Sequence, residues 1–136
     1  MKTFSIRFLF ENYEDQESFF EKRMFGGLAA YLNGKMVCVL MEDPGAYEYR
    51  GKKFDFEIWN GILIPMEREN HASLIQDFPA LVSHPVLGKW LYLPMRAPSF
   101  EADSLKLSEL IFQNDQRIGI LPQTKKKKNT KKKKKK

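Results

Sequence analysis

Ten lysines crowd the last twelve positions of this chain. Lys125, Lys126, Lys127 and Lys128 precede Asn129-Thr130, and Lys131, Lys132, Lys133, Lys134, Lys135 and Lys136 follow. Ammonium groups this dense neutralise phosphates and release condensed counterions. The result is salt-sensitive, sequence-independent binding to DNA or RNA. Each lysine acts as a point charge, so the run is not expected to read bases. The same segment suits anionic lipid, acidic protein or polyphosphate. A plain alternative is a solvated tail that aids solubility. No acyl-anchor motif accompanies it.

Other reactive residue types are sparse. His71 and His84 are the two histidines, and no HExxH spacing joins them to a metal set. His71 is expected beside the apolar face of a helix. His84, just before Pro85, is expected to make a loop hydrogen bond. Cys38 is the single cysteine, flanked by Val37 and Val39. A nucleophile needs a base and an electropositive setting, whereas this context predicts a packed strand residue. Asp55 and Glu57 resemble a carboxylate pair, but alternation on a wet strand face accounts for them. Ser73, Ser83, Ser99, Ser104 and Ser108 lack a GxSxG context. Gly26-Gly27 is too short for a phosphate loop, and no Walker lysine follows. With no nucleophile–base pair, metal set or cofactor motif, the reading is non-enzymatic. Tyr47, Tyr49, Trp59, Trp90 and Tyr92 could stack on unpaired bases if exposed on strands. Lys and Arg do not cluster among them, so core packing is expected for most, with one or two at a protein interface.

The tail also reverses the charge of the chain. All 136 residues hold 23 Lys+Arg against 17 Asp+Glu, a net +6. Without the ten tail lysines, 13 basic residues face the same 17 acids, a net −4. An acidic body therefore carries a cationic tail. The length is that of one domain. A lone cysteine excludes an intrachain disulfide and fits a reducing compartment. No apolar run approaches 18 residues, so no membrane span is expected. Arg7 and Glu11 interrupt the N-terminal apolar stretch, so no signal peptide is read and cytoplasm is the expected location.

The elements that must position these residues follow from turn chemistry and periodicity. Asn33-Gly34 lies between Leu28–Leu32 and Lys35–Met41, and predicts a type I′ hairpin. Asn60-Gly61 predicts a second, between an alternating strand Phe54–Trp59 and Ile62–Pro65. Asp43-Pro44-Gly45 is a turn, Tyr47-Glu48-Tyr49 a short strand and Gly51-Lys52 another turn. Residues 27–65 thus read as an antiparallel meander of four or five strands. Glu67 to Phe78 reads as a helix with Leu74, Ile75 and Phe78 on one face, ended by Pro79. Lys89–Pro94 reads as a strand. Ser99 or Asp103 caps a last helix reaching about Gln113, with Leu107, Leu110 and Ile111 inward. The N-terminus is ambiguous: alternating Phe4, Ile6, Phe8 and Phe10 favour a strand, and the charged stretch around Phe19 and Phe20 is compatible with a helix.

The run Lys22-Arg23-Met24-Phe25-Gly26-Gly27, followed by Tyr31-Leu32-Asn33-Gly34-Lys35-Met36, resembles the start of the TfoX N-terminal domain family. The resemblance is specific over about fifteen residues and looser through residue 121. It implies a small α+β domain with an antiparallel sheet, similar to YjbR-type and secretion-chaperone-like folds. It implies no catalytic residue set. Gly26-Gly27 would turn the chain sharply into a strand, with Met24 and Phe25 as core anchors. These readings combine into an α+β domain at 1–122, an antiparallel meander packed with two to three helices, and a disordered tail at 123–136. The expected function is a non-enzymatic binding module. Its lysine tail makes nonspecific nucleic-acid or other polyanion contacts, and its body docks a protein partner or forms a homodimer. The alternative is a protein-interaction or chaperone-like domain with an incidental tail.

Overall fold

The structure is a computed structural model that describes residues 4–24 and 26–121. The lysine run, the disorder expected for 123–136, and Phe25 as a core anchor lie outside the described residues. Those described form an α+β fold. The main strands are β1 (Phe20–Met24), β2 (Gly27–Leu32), β3 (Lys35–Glu42), β6 (Asn60–Ile64), β7 (Val82–Ser83) and β8 (Leu91–Pro94). They make an antiparallel sheet in the order β1-β2-β3-β6-β8-β7. Between β3 and β6, the strands β4 (Glu48–Tyr49) and β5 (Lys52–Lys53) pair only with each other. The helices are α1 (His71–Asp77) and α2 (Phe100–Phe112), with 3-10 turns at Arg7–Asn12 and Arg68–Asn70.

The β2–β3 hairpin is the one its sequence demands. Asn33 and Gly34 both take positive φ, 55° and 81°, as a type I′ turn requires. Every residue of β2 is buried, because layers cover both sheet faces. On the first face Leu28, Ala30, Leu40, Ile62, Ile64, Leu91 and Leu93 meet residues from the helices and 3-10 turn. These include Leu9, Phe10, Leu74, Leu107 and Ile111. The register skips Val37, pairing Ala30 with Cys38 but Tyr31 with Met36. This bulge sends both Val37 and Cys38 into the first-face core.

The second face is built differently. Ala29, Tyr31, Met36, Val39, Met41, Leu63 and Tyr92 form its core. Irregular segments cover them, through Phe56, Trp59, Leu87, Trp90 and Ile120.

Three sequence expectations are corrected. Phe54–Trp59 is not a strand, and Asn60-Gly61 is not a turn but the start of β6, between β3 and β8. Gly61 serves space rather than φ: a Cβ there would stand against the Leu93 carbonyl. At the N-terminus, Ile6, Leu9, Phe10 and Tyr13 are buried while Phe8 is exposed. That spacing is helical, and Arg7–Asn12 forms a 3-10 helix instead of a strand. The charged stretch around Phe19 and Phe20, compatible with a helix by its sequence, leads into edge strand β1 instead.

Arg117 anchors the last described segment. Its guanidinium donates to Asp77 Oδ2 at 2.8 Å, Asp115 Oδ2 at 2.9 Å and Ser73 Oγ at 3.0 Å, tying the segment to α1. Ile120 then exchanges backbone hydrogen bonds with Met36, at 2.9 and 3.1 Å. The chain thereby reaches Leu121 beside the start of β3.

Candidate binding groove on the second sheet face

The arm between β3 and β6 is laddered by its own backbone. Asp43 N donates to Trp59 O at 3.0 Å, Ile58 N to Ala46 O at 2.9 Å, and Phe54 N to Tyr47 O at 2.8 Å. Its base is fixed from beneath by Tyr92, which is fully buried. The Tyr92 hydroxyl donates to Glu57 O at 2.6 Å and accepts from Asn60 N at 2.7 Å. Burial raises its pKa, with the Asn60 amide pulling the other way.

His84 locks the facing loop. Nδ1 accepts from Val86 N at 3.1 Å and Leu87 N at 3.0 Å. Nε2 must therefore carry the proton, which it donates to Ile58 O at 2.6 Å. The ring packs on Trp59 and Tyr92 at centroid distances of 4.6 and 5.0 Å. Burial holds its pKa below the usual imidazole value, against the pull of the Ile58 carbonyl. The expected loop hydrogen bond is present, and two more with it.

Between these two loops and the β1–β2 turn runs an open groove of about 630 Å³, lined by Gly26, Met41, Asp43, Tyr49, Trp59, Val86 and Leu87. Its walls are aromatic and aliphatic, and its one charged lining residue is the exposed Asp43. Tyr49 and Trp59 meet edge to face, with centroids 5.9 Å apart at 66°. A neighbouring depression holds Lys35, Lys89, Trp90, Ile120 and Leu121. The last described residues thus lie on this same side of the sheet.

The other sequence candidates are engaged elsewhere. Cys38 is buried, with Tyr13 Oη 3.5 Å from its sulfur. Burial pushes its thiol up to about 12, with Tyr13 acting in the opposite direction. His71 Nε2 lies 2.7 Å from Lys89 O. Glu57 accepts from Gly45 N at 2.7 Å and Asn60 Nδ2 at 3.3 Å, while Asp55 is exposed on a bend. Tyr49, Trp59 and Trp90 are half-buried, Tyr92 is core, and Tyr47 is 46% exposed. Among the described residues, no three His, Cys, Asp or Glu side chains gather as a metal set. No helix there is long and apolar enough to cross a membrane. Lys125–Lys128 and Lys131–Lys136 lie outside the described residues. Sequence reasoning missed Asp43 and Met41 as groove residues. The available signal was Asp43-Pro44-Gly45, which launches the arm from the end of β3 just past Met41.

No protein-family model matches the chain, and no curated protein or solved structure matches it.

Proposed function

We propose that the chain is a non-enzymatic binding module that contacts nucleic acid or another polyanion through its lysine run. The resemblance of residues 22–36 to the TfoX N-terminal domain supports a small α+β module of this kind. The observation that carries the reading is charge segregation. Ten lysines stand together, and the other 126 residues sum to −4. Counterion release makes such a run favour dense polyanions over isolated anions. The body then acts as a docking domain. Its groove supports this, as does α2, where Leu105 and Phe112 are 48% and 49% exposed beside Asn12 and Glu109.

The test is a full-length variant with all ten tail lysines changed to glutamine, compared with the natural chain on duplex DNA and single-stranded RNA across a salt series. For each phosphate neutralised, the log–log slope on duplex should be about −0.9. A steep slope in the natural chain that collapses in the variant is the expected result. Equal binding by both would refute the tail as the contact. Absence of binding by the natural chain at physiological salt would favour the protein-docking reading alone.

A further inference from the structure

The arm between β3 and β6 already seats positive charge on its aromatic rings. The Arg50 guanidinium lies 5.3 Å from the Tyr49 centroid, Lys52 Nζ 5.6 Å from Phe54, and the Arg96 guanidinium 5.6 Å from Phe56. The negative face of an aromatic ring attracts a cation, and tryptophan does so most strongly. Trp59 is the remaining ring between Glu48 and Trp59. Its described ring neighbours are His84, fixed as a neutral imidazole, and the edge-on Tyr49. It borders the groove beside Asp43, whose amide is bonded to the Trp59 carbonyl. Among the described residues, Asp43 makes no ion pair. Met41, Val86 and Leu87 complete the lining. An aromatic wall, a carboxylate and an aliphatic surface together suit an alkylammonium, whose carbon stem packs on apolar surface while its head meets charge.

We propose that this groove takes a lysine side chain from the Lys125–Lys136 run of the same chain. Charge complementarity and reach select that occupant. Leu121 stands beside Lys35, at the opposite end of β3 from Met41. Six strand residues separate the two, or about 20 Å. An extended chain covers about 33 Å in ten residues, enough for Lys131 to arrive. A tethered lysine has an effective concentration in the millimolar range, well above that of a free peptide. The held lysine is subtracted from the polyanion contact, so groove and polyanion compete for the run.

Trp59 and Trp90 are the two tryptophans, so the indole N–H signals of the ¹⁵N-labelled full chain number two, and W90F assigns them. The Trp59 signal should differ between the natural chain and the ten-glutamine variant. Added decalysine should restore it in that variant, and D43N should abolish the response. Glu101→Gln, an exposed acid on α2, should leave it intact. D43N should also tighten duplex DNA binding by about 1.5- to 5-fold, the factor for one exposed ion pair.

An identical Trp59 signal in the natural and ten-glutamine chains overturns the proposal. So does a signal that depends on protein concentration, which would place a second copy in the groove. Decalysine saturating the natural chain also overturns it, since the occupant would then be foreign. DNA binding by the ten-glutamine variant is scored separately, so failure of the polyanion reading is not confused with failure of this one.

Discussion

Replacing His84 with alanine tests how the groove is held open. The ring is 1% exposed and makes three hydrogen bonds to backbone. Leaving the Ile58 carbonyl buried without a donor costs about 1–3 kcal/mol. The Val86 and Leu87 amides are half-buried, and water reaches them on relaxation, at about 0.5 kcal/mol each. Removing the ring from between Trp59 and Tyr92 adds about 1–2 kcal/mol of lost packing. The total is about 3–6 kcal/mol, a large share of the 5–15 kcal/mol typical of a domain. His84→Asn keeps an acceptor for the two amides and loses the Ile58 bond, so its cost should be roughly half.

The pH response separates this account from generic packing loss. The folded-state pKa of His84 is depressed. The unfolded chain therefore binds a proton near pH 6.5 that the native ring refuses. Stability is full above that value and falls as pH drops towards the folded pKa, by up to about 1.4 kcal/mol per unit. Asp115, held down by its hydrogen bond to Arg117, acts in a separate window below the usual carboxylate range. Denaturant titrations followed by Trp59 and Trp90 fluorescence, between pH 5 and 8, measure the cost of each His84 substitution and its pH slope, clear of the Asp115 window. H84A lying within 1 kcal/mol of the natural chain, or H84N keeping the full slope below pH 6.5, would refute the reasoning.

Two further substitutions and one reagent probe the fold. Gly61→Ala should cost more than 3 kcal/mol or prevent folding, because its methyl meets backbone in the middle of the sheet. Gly34→Ala meets open space and should cost only about 1 kcal/mol, through its φ of 81°. Thermal melts decide the order of the two, and a milder Gly61→Ala would count against the β6–β8 register. Cys38 should react with a disulfide reagent at pH 8 only when the domain opens, since burial withholds both access and thiolate. Rapid stoichiometric labelling of the native chain would contradict that placement.

The two Asn-Gly pairs show what was legible in the sequence. Both carry the same local turn preference, and only Asn33-Gly34 became a turn. At Asn60-Gly61 the glycine answers a neighbour more than thirty residues away, the Leu93 carbonyl, which no local pattern announces. Leu74 and Phe78, Leu107 and Ile111, and Leu91 to Leu93 were readable because burial sets their period directly. The N-terminal phenylalanines misled because two periods overlap there. Phe4, Ile6, Phe8 and Phe10 alternate, but Ile6, Leu9, Phe10 and Tyr13 carry the burial. The groove was less legible still. Asp43, Tyr49, Trp59 and Leu87 converge only because Tyr92 and His84 clasp two irregular segments, and those clasps are long-range hydrogen bonds.

The backbone rungs of the arm divide it into a fixed root and a replaceable tip. Asp43–Trp59, Ala46–Ile58 and Tyr47–Phe54 close the root, leaving β4, Arg50, Gly51 and β5 beyond the last rung. Loop-closure entropy grows only logarithmically, so doubling the length of that tip costs about 0.6 kcal/mol. Insertions there would leave the strand register untouched and reshape only the rim carried by Tyr49. The sheet can therefore serve as a constant frame on which successive variants, natural or engineered, exchange one small hairpin to change what the rim grips.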